Sequence, residues 1–341
     1  MSRAPRPMTI DIHTHFIPPT FAADARAGRA LDRVELLRQG DTEWLLHPQG
    51  YRYPLSPEFF DAEAKLRQMD SLDIDMSILS LSPTLFFYWL DTASASDFCR
   101  EANESLAAFV AQSDRLHGVA VVPLQDPDAA ASELRHAVVR LGLRGVEIGT
   151  TMETVPLDDP RFEPFFTAAA ELDVPVILHP YYVGARSQLA DFYMTNLTGN
   201  PLETCVAASR LVLSGFLDRH PTLKVVLVHA GGFMPYQVGR LDHGFRVRTE
   251  TNKAIASPPS TYLRRFWYDT ITHASLPLQF LVELVGSDRV VLGTDLPFDM
   301  ADTRFEHYLS AIELNSGDRE AIASVNAASL FGVAAGRRAG A

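Results

Sequence analysis

Apolar and polar residues alternate through TIDIHTHF (residues 9–16), placing Ile10 and Ile12 on one side of an extended chain and Asp11, His13 and His15 on the other, because successive strand side chains point to opposite faces. Short runs rich in β-branched and apolar residues recur after it: DMSILSLS (75–82), LHGVAVVP (116–123), GVEIGT (145–150), PVILHP (175–180), KVVLVHAGG (224–232), FWYDTITH (266–273) and VVLGTDLP (290–297). The segments between them, such as 97–113 and 126–141, are rich in Ala, Leu, Glu and Arg and long enough for crossover helices. Eight βα units in this order predict an α/β fold, a (β/α)8 TIM-type barrel with its active site at the C-terminal ends of the strands. A doubly wound open sheet shares the same periodicity and is the alternative.

The spacing breaks once, where about fifty residues separate the first two strands. There TEWLLH and YRYPLS flank the turn signal PQG, which predicts a small hairpin laid over the barrel mouth within an insertion at about 17–57. Residues 58–70 then resume a helical pattern, 303–333 read as two closing helices, and GRRAGA (336–341) reads as a frayed tail. One barrel domain is therefore expected over 1–335, with no internal repeat or low-complexity segment.

Composition narrows the partners. The 341 residues are 47% hydrophobic and carry a formal net charge of −12 with no basic tract, so neither nucleic acid nor an anionic membrane surface is an expected partner. No run of about 18 apolar residues occurs, and the basic MSRAPRPM start leads into no apolar stretch of the kind an export signal needs. Cys99 and Cys205 are the only cysteines, both within helical patterns. A disulfide framework is not expected, and a reducing cytoplasm fits.

Candidate chemistry appears when polar residues are laid on the barrel frame. His13 and His15 end the first strand, His179 the fifth, His229 the sixth and Asp295 the eighth, so all fall on one rim. A single histidine at a strand end reads as readily as a satisfied core residue; convergence on one rim favours a metal. Borderline ions such as Zn(II) accept this mixture of nitrogen and oxygen and leave a position open for water or substrate. Two-metal barrels often bridge their ions with a carboxylated lysine, but Lys65, Lys224 and Lys253 fall in a helix, at the wrong end of a strand and in a loop. One ion is the expectation; Glu147 on the fourth strand could bridge a second if it points inward.

The stretches DIHTHF, LHP, HAGGFMPYQVGRLDHGF and GTDLPF resemble signatures of the amidohydrolase superfamily, in its branch of metal-dependent, non-oxidative decarboxylases. The resemblance extends through MDSLDIDMSILSLSP, VPLQD and GVEIGT, nearly the whole chain. It implies that His13, His15, His179 and Asp295 hold one divalent ion, Zn(II) first and Mn(II) second. It also implies that His229, paired with Asp295, acts as acid and base beside it. Arg52 and Arg240 match positions that grip substrate carboxylates, Arg240 reaching across a homodimer interface, and Phe298 either flanks an unsaturated substrate or packs. The implied reaction is decarboxylation of an unsaturated or aromatic carboxylic acid, through metal-bound water or Lewis-acid activation. One departure concerns the pocket: that branch follows the strand-five histidine with tryptophan and aspartate, whereas Tyr181 and Tyr182 stand here. A metal-dependent hydrolase or hydratase of a small carboxylated lactone or amide, and a catalytically silent binding protein, remain the alternatives.

Overall fold

The computed structural model describes residues 8–29, 34–47, 52–181 and 187–334. The strands, in chain order, are β1 (Ile10–Phe16), β2 (Glu35–Gln39), β3 (Thr42–Leu46), β4 (Arg52–Pro54), β5 (Met76–Leu81), β6 (Leu116–Gly118), β7 (Val146–Gly149), β8 (Thr151–Met152), β9 (Val155–Pro156), β10 (Pro175–His179), β11 (Lys224–Leu227), β12 (Phe266–Asp269) and β13 (Val290–Val291). Parallel pairing gives two sheets, β1-β5-β6 and β7-β10-β11-β12-β13. Single parallel bridges join them at both seams, Ala120 to Val146 and Thr14 to Leu296, with His15 N–H donating to Leu296 O at 2.7 Å. The eight predicted runs thus form one ring of parallel strands.

The alternation at the start of β1 does not persist as the sequence suggests. Its register against β5 shifts between Asp11 and Thr14, the local signature of a bulge. Ile10 and Ile12 pack with Met76, Ile78, Ile177, Val226 and Val291; Ile177 shares a face with His179, two residues on, so this apolar layer lies directly beneath the histidines. Asp11 stands outside the ligand cluster, its Oδ1 accepting from the His13 backbone N–H at 3.1 Å. Its Oδ2 accepts from Thr294 Oγ1 at 2.7 Å, and Thr14 nearby accepts from the buried Lys65 Nζ at 2.9 Å. The shift lets the chain present His13 and His15 at the rim while its first isoleucines fill the barrel.

Between β1 and β5 the expected hairpin is present as antiparallel β3 and β4, and β2 adds a third strand on the other side of β3. A helix, Pro19–Arg26, precedes this sheet; neither it nor β2 is expected from the sequence. The turn residues 48–51 and the tail 336–341 lie outside the described residues. The helix Ala62–Ser71 follows, capped by Asp61, whose side chain accepts from Ala64 N–H at 2.9 Å. Two closing helical runs are found, Phe305–Ala311 and a second that passes from Ser316–Glu320 through a π-turn into Asn326–Phe331. The last of these seats Ala327, Leu330 and Phe331 against Ile10 and Ile12.

Candidate metal centre

The five rim residues converge. His13 has its ring centroid 5.1 Å from those of His15 and His179 and 5.2 Å from that of His229. One ligand-type atom from each of His13, His179, His229 and Asp295 lies within 4.8 Å of all the others. His15 stands at the edge of this group, its Nε2 3.0 Å from Asp295 Oδ1 and its Nδ1 3.2 Å from Ser80 Oγ. Of the expected ligand set, His13, His179 and Asp295 fall in this group, His229 takes the fourth place in it, and His15 stands beside it against Asp295.

Two of the rings are fixed from behind. His13 Nδ1–H donates to Asp269 Oδ2 at 2.7 Å, and His179 Nδ1–H to Pro180 O at 2.7 Å; carboxylate and carbonyl oxygens only accept, which sets both tautomers. Each Nε2 is then the atom that offers a lone pair once any proton it carries is displaced, and both are buried without a hydrogen-bond partner. Buried polar atoms are otherwise almost always satisfied, so two inward lone pairs facing an aspartate are the donor set a divalent ion requires. The residues fit a metal.

The turn after β11 aims His229. His229 and Ala230 have φ of 53° and 56°, values that side chains with a Cβ seldom adopt. Gly232 continues the turn at φ 59°, where an added Cβ would sit 2.2 Å from Pro201 O. Only glycine lets the helix Met234–Val247 start this close to its neighbour.

Charge in the cluster is strongly displaced from ordinary values. Burial opposes ionisation of Asp295, but hydrogen bonds from His15 and His229 and the His13 charge hold its carboxyl well below the usual range. Burial and the neighbouring imidazoles push His179 well down, and burial takes His15 to about 4. Burial also pulls at His13, yet the Asp269 hydrogen bond and the Asp295 charge raise it to about 9. Glu147 is buried and is pushed up to about 8 by that burial; it points inward but is not part of the ligand cluster among the described residues. Lys65 sits deeper than its place in a helix suggests, fully buried behind β1.

A small cavity of about 60 Å³ opens beside the cluster, lined by Arg52, Tyr181, His179, His229, Asp295 and Phe298. The Phe298 ring centroid is 5.0 Å from those of His15 and Tyr53. Tyr181 packs on Phe86 and Tyr88, and its hydroxyl donates to Glu153 Oε1 at 3.2 Å. Tyr182 lies outside the described residues. Arg52 stacks its guanidinium 4.9 Å from the Trp44 ring centroid. Arg240 does not line this cavity; it is exposed on the outer face of Met234–Val247. From His229 and Asp295 a wider apolar groove of about 680 Å³ runs outward past Leu197, Phe233, Tyr236, Leu276 and Phe280. Sequence reasoning missed Tyr53, Asn200 and Asp269. Asp269 carried the same signal as the histidines, a polar residue ending an apolar strand.

The Amidohydrolase family pattern matches residues 10–333. The chain belongs to the amidohydrolase family. This amidohydrolase is 29% identical over 333 residues to a 2-amino-3-carboxymuconate-6-semialdehyde decarboxylase of Dictyostelium discoideum, covering 96% of this chain and 92% of the relative. It is 33% identical over 299 residues to a gamma-resorcylate decarboxylase of Rhodococcus jostii, covering 79% of this chain and 87% of that one. Among solved structures, a dihydroxybenzoic acid decarboxylase from a Polaromonas species, with bound manganese and the inhibitor 2-nitroresorcinol, matches with a TM-score of 0.78 and 27% identity over 96% of this chain and 97% of its own.

Proposed function

We propose that this amidohydrolase is a carboxy-lyase, a metal-dependent non-oxidative decarboxylase of an aromatic or unsaturated carboxylic acid. The observation that carries the reading is the pair of buried, unpartnered Nε2 atoms of His13 and His179 facing Asp295, in a chain whose relatives are named decarboxylases. In this reading His13, His15, His179 and Asp295 hold one divalent ion. Their nitrogen-rich set suits Zn(II); the Polaromonas relative, with its manganese, makes Mn(II) the second candidate. When bound, the ion supplies Lewis-acid polarisation of the substrate.

The protein groups carry the rest. Loss of CO2 leaves an electron pair on the substrate carbon, and that carbon must receive a proton. His229 is the candidate donor: its side chain is 16% exposed while His13 and His15 are wholly buried, and it lines both the small cavity and the groove. Asp295, 3.6 Å from His229 Nε2, stabilises the protonated imidazole. Arg52 offers a planar fork to a substrate carboxylate, with Phe298 and Tyr181 lining the same cavity.

We also read the active unit as a homodimer in the cytoplasm. Phe233, Tyr236, Arg240 and Val247 follow one another at spacings that share a single face of Met234–Val247, and Tyr236 is 80% exposed. A second copy packed there would cover this face and carry Arg240 to the neighbouring cavity. Both cysteines are free, in keeping with a reducing compartment. The test is a screen of aromatic and unsaturated acids that follows both CO2 and product mass. CO2 with loss of its mass from the substrate is the expected result; a product heavier by water, without CO2, assigns the site to a hydrolase or hydratase instead.

A further inference from the structure

Asp269, at the end of β12, is fully buried and has no part in the ligand cluster. Its carboxylate is nevertheless surrounded by donors. Oδ2 accepts from His13 Nδ1–H at 2.7 Å and from the His229 backbone N–H at 2.9 Å. Oδ1 accepts from Ala230 N–H at 2.7 Å and Ile271 N–H at 3.1 Å. All four partners are N–H groups, so both oxygens of the carboxylate act as acceptors.

The two backbone donors come from the turn at positive φ. Successive N–H groups in such a turn converge on one point and form a concave anion site. Here the anion is built into the fold, and it holds His229 and Ala230 in a conformation they would otherwise leave. The same oxygen that receives the His229 amide also receives His13 Nδ1–H, which directs the His13 Nε2 lone pair into the metal cluster. Close approach is possible because residue 293 is glycine: a Cβ there would lie 2.9 Å from Asp269 Cβ and 3.0 Å from His13 Cβ.

We infer that Asp269 is a positioning residue that sets two functional groups at once, the tautomer of the His13 metal ligand and the backbone of the His229 acid-base residue. The inference rests on the proposed roles of those two histidines. It predicts coupled losses. Asp269→Asn keeps size and shape, but in either amide orientation an NH2 group is turned against two N–H donors.

The experiment compares wild type and Asp269→Asn by chelator competition for the bound metal, by kcat at saturating metal and by thermal unfolding. The expected result is a metal Kd raised about ten- to a hundredfold, with kcat at full metal occupancy lowered by about a hundredfold more as His229 moves. A folded variant with wild-type metal Kd and kcat overturns the inference, as does one whose only change is a lower melting temperature. Should the variant not fold, amide hydrogen exchange of the metal-loaded wild type decides: His229 and Ala230 N–H groups are expected to be strongly protected, and exchange at the rate of an open loop would refute the inference. Metal affinity and amide exchange need no substrate, so they remain decisive even if the screen yields no CO2.

Discussion

His13 and His179 are held differently from His229, and the difference predicts what each substitution does. Both buried rings are anchored through Nδ1 with Nε2 free, so His13→Ala or His179→Ala should remove metal and activity together, read by elemental analysis and turnover. His229 is held through its backbone, with its ring turned to the cavity. His229→Ala should keep most of the metal while activity falls about a hundredfold or more, the scale of a lost acid or base. A metal-free His229→Ala protein would make His229 a ligand and leave His15 the outer role. At this scale much was legible: each rim residue lies at or just beyond the end of a strand run, and such a run is visible in one sequence. The face of Asp11 was not, because a one-residue register shift in β1 leaves no mark on the alternation that precedes it.

The insertion between β1 and β5 brings aromatic packing and Arg52 to the mouth of the site. His47, just after β3, is 1% exposed, packed against the rings of Phe87 and Trp89. Burial lowers it to about 4, against a weaker upward pull from a hydrogen bond with the Thr84 backbone. The unfolded chain takes up this proton near the ordinary histidine value, about 6.5, and the folded chain only near 4. The contribution is therefore complete above pH 6.5 and is lost as pH falls toward 4, by of order 3 kcal/mol at most. Unfolding in urea across that range should show the decline, and His47→Phe should flatten it; identical slopes would mean that His47 titrates normally in the fold. The β3–β4 hairpin could be read from its turn residues. Strand β2 could not, since Leu36 and Leu37 are the only partly buried residues of Glu35–Gln39 and the other three are exposed, so its pairing is decided by β3 rather than by its own pattern.

For the molecule as a whole, the metal should be present at close to one ion per chain, and chelator-treated protein should be inactive; a value near two would bring Glu147 into the centre. Arg52 and Arg240 test the assembly. Each alanine variant should be nearly inactive, because a substrate carboxylate would be left without its fork. Mixing the two under subunit exchange should restore about a quarter of wild-type activity, since half of randomly paired dimers are mixed and each holds one intact site. Proven exchange without recovery would mean that both arginines serve one chain's own cavity. The barrel was the most legible level, because eight strand runs punctuated by helical spacing have few other solutions. The bridge that closes the ring, Thr14 to Leu296, has a further consequence during synthesis. His15 and Asp295 stand 280 residues apart, so at about 5–20 residues per second the first strand waits roughly fifteen to sixty seconds for the carboxylate that completes its site. A nascent chain exposes His13 and His15 long before Asp295 leaves the ribosome. Tight metal capture therefore belongs to the last moments of biogenesis, and a ribosome-bound chain halted before Val290 should fail to retain the ion that the released protein keeps.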